Sequence, residues 1–248
     1  MIRRYTLVVI PVVLWLAGWG CCGPADHDAL YVAFGDSITA GAEEPSYPDI
    51  LEGMLGLGDG TVSNEGDSGE NAGDGRDRLA GLLDCNTYPN ADTVLYWQGG
   101  AGLIDWIEEN DSYLLISPIA PIYPLKDELA DLLDHIQDNL MHTIHNIKDA
   151  GKTPIIGTYH FPLAHKTPCD PSPLGFLTET MARHVREYTV LLNGKIYELA
   201  DVEGIEVADV ASTGGLNWNP DNFHDCLHPS AQGNELIAGI WYETITGP

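Results

Sequence analysis

Apolar and polar positions follow two different periods along the chain, and this pattern predicts alternating strands and helices. Short apolar runs bounded by glycine, proline or asparagine predict strands. The predicted strands are Ala29–Phe34, Thr61–Asn64, Asp92–Trp97, Thr153–Thr158 and Ile205–Val210. Segments in which apolar residues recur every three or four positions predict helices between them. The predicted helices are Tyr47–Leu55, Gly75–Leu83, Lys126–Ala150, Leu177–Leu191 and Ala231–Thr244.

The clearest helical pattern lies in Lys126–Ala150. Its apolar face is formed by Leu129, Leu132, Leu133, Ile136, Leu140, Ile144 and Ile147. Asp127 and Glu128 lie in its first turn and Gly151 follows its end, as the helix dipole and a glycine C-cap favour.

Strands that are separated by helices indicate parallel pairing, with helices covering both faces of the sheet. We therefore predict an α/β fold, a single three-layer α/β/α domain over residues 29–248 with a mostly parallel five-stranded sheet. In such sheets ligands bind outside the carboxyl ends of the strands, so the residues that follow each strand are the candidates for chemistry.

The first twenty residues are typical of an export signal rather than of the folded domain. Arg3 and Arg4 precede an apolar run that is too short to span a bilayer, and Gly18-Trp19-Gly20 resembles a cleavage site. We predict a signal peptide over residues 1–20 and an exported protein, either secreted, periplasmic or anchored at the envelope. Acylation of Cys21 would make it a lipoprotein, with that lipid as its membrane anchor.

The chain is strongly acidic, with a formal net charge of −26 from 37 acidic and 11 basic residues. Such a chain repels nucleic-acid phosphates, so we exclude nucleic acid as a partner. The cysteines show no Cys-x-x-Cys spacing, and we predict neither a metal nor an organic cofactor. The predicted topology brings Cys169 and Cys226 to the same sheet edge and favours a disulfide between them; Cys22–Cys85 is a second possible pair.

Ser37 directly follows the first predicted strand, at its carboxyl end. A serine there lies where backbone N–H groups of a following turn can face a developing oxyanion. Gly-Asp-Ser also occurs at residues 66–68, but Ser68 lies in a polar, glycine-rich loop and is interpreted as a turn residue.

Asp225 and His228 supply the partners that a serine nucleophile requires. Their spacing of three residues lets a carboxylate accept the imidazole N–H, while the other ring nitrogen faces the serine. We predict a Ser37–His228–Asp225 triad. His160 and His224 are weaker candidates for the pocket, and the histidines within Lys126–Ala150 are interpreted as surface residues.

The chain resembles the GDSL or SGNH hydrolase family. Gly35-Asp36-Ser37-Ile38 matches its first block and Asp225-Cys226-Leu227-His228-Pro229 its last. The resemblance implies a flavodoxin-like fold and a serine esterase or lipase that acts on a small-molecule, glycan or lipid ester, without a cofactor. It leaves open whether the acyl group is acetyl or a longer chain.

The resemblance also implies an oxyanion hole. Ser37 and Gly66, in Asn64-Glu65-Gly66, match two of its backbone donors. The third donor is normally an asparagine side chain, but this chain has Ala101 at that position if the match is counted from Gly99, or Gly102 if it is counted from Gly100. The backbone N–H of Gly100, or the side chain of Asn71 or Gln98, are the alternatives. The missing asparagine supports a second interpretation, a non-catalytic or weakly active surface lipoprotein that binds glycans or other envelope components.

Overall fold

A computed structural model describes residues 22–110, 125–161 and 179–247 of the chain. The strands are β1 (Tyr31–Gly35), β2 (Val62–Gly66), β3 (Thr93–Trp97), β4 (Thr153–Gly157) and β5 (Glu206–Ala208). The α-helices are α1 (Ser37–Ala40), α2 (Tyr47–Leu55), α3 (Ala72–Asp84), α4 (Gly100–Glu109), α5 (Leu125–Asp149), α6 (Glu179–Glu203), α7 (Gly214–Trp218) and α8 (Ala231–Thr246). Two short 3-10 turns, Val210–Ser212 and Pro220–Asn222, flank α7.

The strands form one five-stranded sheet in the order β2-β1-β3-β4-β5, and every pair is parallel. This confirms the predicted α/β class and sheet. In the register, Gly35 at the end of β1 pairs with Gly66 on one side and Trp97 on the other. The ends of β1, β2 and β3 are therefore level, and the turns that follow them lie side by side at the carboxyl edge.

Helices cover the sheet in two groups. Helices α2 and α8 pack together, while α5 packs against both α3 and α6. Six buried apolar residues of α5, from Leu129 to Ile147, belong to the face that its sequence pattern predicts; Leu132 of that face is only partly buried, and Leu125 is buried in addition. Strands β1 and β3 are buried along almost their whole length, as expected for parallel strands covered on both faces.

Two of the longer helices differ clearly from the prediction, and the short helix α7 is not predicted either. Helix α4 is not predicted, because its first turn, Gly100-Ala101-Gly102, contains two glycines, which are weak helix formers. Helix α6 continues to Glu203 although the sequence predicts an end at Leu191. Asn193, inside this extension, exchanges two hydrogen bonds of 2.8 Å with the backbone of Tyr159. These tertiary contacts outweigh the weak helix propensity of Asn193-Gly194.

The described cysteines are disulfide-bonded. Cys22 and Cys85 form one disulfide, the pair that the sequence left as a possibility. Cys226 is also disulfide-bonded, but Cys169 lies outside the described residues, so the pairing of these two stays a prediction. Disulfides are typical of oxidising compartments, which is compatible with export. The signal segment and Cys21 also lie outside the described residues, and among the helices described none has the length and apolar character of a membrane span.

Candidate active site

Ser37 is the first residue of α1 and follows a sharp strand-to-helix turn. Asp36 caps α1, because its carboxylate accepts a hydrogen bond of 3.1 Å from the N–H of Ile38. Gly35 is required at the turn, since a β-carbon there would lie 2.1 Å from the Thr39 hydroxyl oxygen. The backbone thus fixes Ser37 at the carboxyl edge of the sheet.

His228 connects Ser37 to Asp225. Its Nε2 lies 2.9 Å from the Ser37 Oγ, and its Nδ1 lies 2.8 Å from the Asp225 Oδ2. The other carboxylate oxygen of Asp225 accepts hydrogen bonds from the N–H groups of Leu227, at 2.6 Å, and His228, at 2.7 Å. The structure therefore brings together the three residues of the predicted triad.

The hydrogen bonds around Asp225 keep it ionised. Burial raises the pKa of this carboxyl, but the hydrogen bonds from the His228 ring and from two backbone N–H groups outweigh it, and the net pKa is lowered. Because a carboxylate only accepts hydrogen bonds, Nδ1 of His228 carries the proton. Its Nε2 then presents a lone pair to the hydroxyl of Ser37, the arrangement in which imidazole acts as a base.

His160 braces the segment that carries these residues. It is 3% exposed, and its Nε2 donates a hydrogen bond of 2.8 Å to the carbonyl of Leu227. Its ring packs against Phe223, with the ring centres 5.4 Å apart. Burial lowers the pKa of His160 to about 4. At neutral pH this histidine is therefore an uncharged donor.

The low pKa of His160 makes the stability of the fold depend on pH. An unfolded histidine takes up its proton near pH 6.5, whereas folded His160 does so only near pH 4. Stability that is present above pH 6.5 is therefore lost as the pH falls towards 4, by up to roughly 3 kcal/mol. The free energy of unfolding, measured with urea, should change less between pH 6.5 and pH 4 for His160→Gln than for wild type. His142→Gln, which changes an exposed histidine of α5, should keep the wild-type profile; an equal profile for His160→Gln would contradict the prediction.

A cavity of about 410 Å³ opens beside Ser37. One wall of the cavity, formed by α4 and α6, is apolar. Within the described residues, the one hydroxyl group of this wall, that of Thr189, already donates a hydrogen bond of 2.8 Å to the carbonyl of Val185. The apolar side chains of this wall are Ala101, Leu103, Ile104 and Leu192. Polar residues at the cavity include Ser68, Asp105 and His224. The cavity therefore combines an apolar wall with groups able to contact a polar substituent.

Gly66, which is assigned to the oxyanion hole from the sequence, does not line the cavity beside Ser37. Its N–H already donates a hydrogen bond of 2.9 Å to the Asn64 side chain. A β-carbon at Gly66 would lie 2.0 Å from the backbone nitrogen of Ala40, so this glycine serves the close packing of β2 against α1. Gly69 lines the cavity instead, with a positive φ of 83°. The sequence signal for it was the glycine-rich loop after β2, which does not indicate which glycine faces Ser37.

Gly100 lines the cavity at the start of α4, next to a buried polar pair. The Tyr159 hydroxyl donates a hydrogen bond of 2.7 Å to Asp36. Burial and the charge of Asp36 raise the pKa of Tyr159 well above its usual value, and the N–H of Gly100 partly offsets this. Gly100 packs closely against the ring of Tyr159, since a β-carbon at Gly100 would lie 2.5 Å from that ring, and the neighbouring Ala101 carries no side-chain donor.

The two amide side chains considered as replacements for the missing asparagine are engaged elsewhere. Asn71 caps α3 by accepting hydrogen bonds from two backbone N–H groups, and its Nδ2 donates to Asp74 at 2.7 Å. Gln98 donates a hydrogen bond of 2.6 Å to the buried Glu70. Neither side chain lines the cavity. Neither side chain is therefore positioned to supply a third donor at the cavity.

The remaining candidates have peripheral positions. Ser68 lies in a turn at the cavity and has no histidine partner within the described residues. His224 lies at the cavity with its Nδ1 3.4 Å from the carboxylate of Glu43. Among the described residues, no group of three or more histidine, cysteine, aspartate or glutamate side chains is arranged to hold a metal ion.

Comparison with known proteins identifies a family and several solved structures that are similar to this chain. The model of the GDSL-like Lipase/Acylhydrolase family matches residues 33–236. A lipase/acylhydrolase from Enterococcus faecalis is 22% identical, with a TM-score of 0.56 over 88% of this chain and 95% of that one. A lipolytic protein of the G-D-S-L family from Veillonella parvula is 16% identical, with a TM-score of 0.58 over 88% and 98%. An acetyl xylan esterase is 17% identical, with a TM-score of 0.57 over 87% and 98%. At these identities the solved structures show a common fold. No curated protein sequence matches the chain.

Proposed function

Because this chain belongs to the GDSL-like lipase/acylhydrolase family, we propose that it is a serine esterase whose catalytic triad is Ser37, His228 and Asp225. The observation that carries the proposal is the continuous hydrogen-bonded path from the Ser37 Oγ through the His228 ring to Asp225. The test is hydrolysis of a p-nitrophenyl ester by the wild-type chain and by Ser37→Ala.

In the first half of the reaction, His228 accepts the Ser37 proton at Nε2 while the serine oxygen attacks the ester carbonyl. Asp225 stabilises the imidazolium that forms and keeps its Nδ1–H oriented. The tetrahedral intermediate collapses when His228 returns the proton to the leaving alcohol. An acyl group then remains bound to Ser37.

In the second half, water replaces the alcohol. His228 takes a proton from the water as it attacks the acyl-enzyme, and then returns a proton to the Ser37 oxygen. The products are a carboxylic acid and free enzyme. None of these steps requires a metal or an organic cofactor.

The oxyanion is stabilised by backbone N–H groups in this proposal. Neither Ser37 nor Gly69 donates its N–H to a partner within the described residues, and both line the cavity. We assign these two N–H groups to the oxyanion, with Gly69 in the role that the sequence pattern suggested for Gly66. Ala101 offers no side-chain donor, so the hole has one strong donor fewer than the family pattern implies.

The wall of the cavity favours an apolar acyl group that is longer than acetyl. Ala101, Ile104 and Leu192 line it together with Leu103, and burying an apolar chain against them contributes roughly 0.8 kcal/mol per methylene. An acetyl group would leave most of this wall without a contact. We therefore propose esters with medium-length acyl chains as the substrate class.

A panel of p-nitrophenyl esters tests this substrate class. We expect kcat/KM to be higher for hexanoate or octanoate than for acetate. Ile104→Trp should shorten the pocket and lower kcat/KM for octanoate by roughly tenfold or more, with little change for acetate. Val190→Trp, at a position of α6 that is 52% exposed, is the matched control. A wild-type preference for acetate would contradict the proposed chain length without affecting the proposed triad.

A further inference from the structure

Glu70 is a buried carboxylate with an unusual set of partners. It is 9% exposed and accepts two hydrogen bonds from Arg78, at 2.6 Å to its Oε1 and 2.8 Å to its Oε2. Its Oε2 also accepts a hydrogen bond of 2.6 Å from Gln98, which is 1% exposed. Charge-assisted bonds of this kind are among the strongest in proteins and hold both partners in a fixed geometry.

The hydrogen bond from Gln98 to Glu70 connects two turns that flank Ser37. Glu70 directly follows Gly69 in the turn after β2, and Gln98 lies two positions before Gly100 in the turn after β3. Because β1 lies between β2 and β3 in the sheet, this contact joins the turns on either side of the strand that leads to Ser37. Gly75 of α3 leaves room for it, since a β-carbon there would lie 2.8 Å from the Gln98 Nε2 and 3.0 Å from the Glu70 Oε2.

Arg78 fixes the contact to the rest of the sheet. Its guanidinium donates to the carboxylate of Glu65 at 2.9 Å and to the carbonyl of the same residue at 2.8 Å. It also lies over the ring of Phe34, 4.0 Å from the ring centre. The five contacts of Arg78 therefore lie on two strands and one turn, which makes it a rigid support for Glu70.

From these contacts we propose that Glu70 is a positioning residue that sets the separation of the two turns facing Ser37. The inference rests on the proposed function. An oxyanion hole that depends on backbone N–H groups requires turns held in place before the reaction, because misplaced donors lose most of their effect. Because Ala101 offers no side-chain donor, the proposed oxyanion hole depends on backbone donors. The Glu70–Gln98 contact holds the turns that carry these donors in place.

The test uses two variants that break the contact from opposite ends. Glu70→Gln removes the charge and Gln98→Leu removes the donor. For both we expect kcat to fall roughly 10- to 100-fold while KM changes by less than about threefold. Glu203→Gln is the matched control, because it removes a carboxylate charge from the ion pair with Lys148, away from the two turns. It should lower the melting temperature and leave kcat unchanged.

Hydrogen exchange provides a second readout that does not depend on activity. In Glu70→Gln and Gln98→Leu, amides of residues 67–71 and 98–101 should exchange faster than in wild type, whereas in Glu203→Gln they should not. Unchanged exchange in both turns, or a wild-type kcat in both folded variants, would overturn the role of Glu70. If the wild-type chain shows no hydrolysis that depends on Ser37, the proposed function is contradicted instead. Hydrogen exchange in the two turns would then still test whether Glu70 holds them in place.

Discussion

Ser37→Ala is expected to lower kcat/KM for a p-nitrophenyl ester by at least about 1000-fold, because it removes the atom that forms the acyl-enzyme. The variant should fold like wild type, since the Ser37 side chain is only partly buried and its described hydrogen-bond partner is His228. The residual rate would then reflect binding and backbone donors alone. Initial rates and a thermal melt of both proteins provide the measurement.

Ser68→Ala is the control for this result, because Ser68 belongs to the second Gly-Asp-Ser of the chain and also lies at the cavity. We expect it to retain at least about a third of the wild-type activity, since no histidine contacts it in the described residues and loss of a solvated hydroxyl has a small effect. Activity that survives in Ser37→Ala and disappears in Ser68→Ala would show that the nucleophile is assigned to the wrong serine.

The second large effect expected is a gain. Ala101→Asn should raise kcat by about tenfold or more, because it adds an amide donor to the wall next to Ser37. A single donor in an oxyanion hole is worth on the order of 100- to 1000-fold when it is well oriented. An asparagine introduced without supporting contacts should recover only part of that. KM should change little, because the oxyanion exists only in the transition state and the intermediate.

Ala101→Leu separates this electrostatic effect from a change of volume, because leucine has nearly the size of asparagine and no donor. We expect no increase in kcat for Ala101→Leu. If the asparagine and leucine variants have the same kcat, the missing donor does not limit the reaction, and the two backbone N–H groups suffice.

Local patterns of the sequence were enough to predict the residues of the candidate triad. Ser37 ends an apolar run, and Asp225 and His228 have a spacing that suits one tight segment. Their contact with Ser37 joins residues 191 positions apart. It could be anticipated only because parallel strands bring their carboxyl ends to one edge of the sheet.

The glycine assigned to the oxyanion hole was harder to predict. Gly66 ends β2 and Gly69 lies in the turn that follows it, and the sequence pattern does not distinguish which of them faces Ser37. The difference arises from an Asn64 side chain that bonds the N–H of Gly66, and from the packing of Gly66 against Ala40. Both are three-dimensional contacts between small groups, and neither leaves a periodic signal in the sequence.

The polar contacts behind the site were also beyond sequence analysis. Glu70, Arg78 and Gln98 occupy positions where charged and polar residues usually face water. Glu70 and Gln98 are buried because α3 packs beside the ends of β2 and β3, where the Glu70 carboxylate accepts hydrogen bonds from Arg78 and Gln98. Such pairing can be recognised only once the strand order is known.

Labelling with a fluorophosphonate tests the central claim most directly, because the reagent reacts covalently with an activated serine. We expect folded wild-type protein to gain one adduct, located on Ser37 by peptide mass mapping, and Ser37→Ala or heat-denatured protein to gain none. Folded wild-type protein that takes no label under conditions that label a known serine esterase would contradict the account. That result would favour the alternative of a non-catalytic protein that keeps this fold.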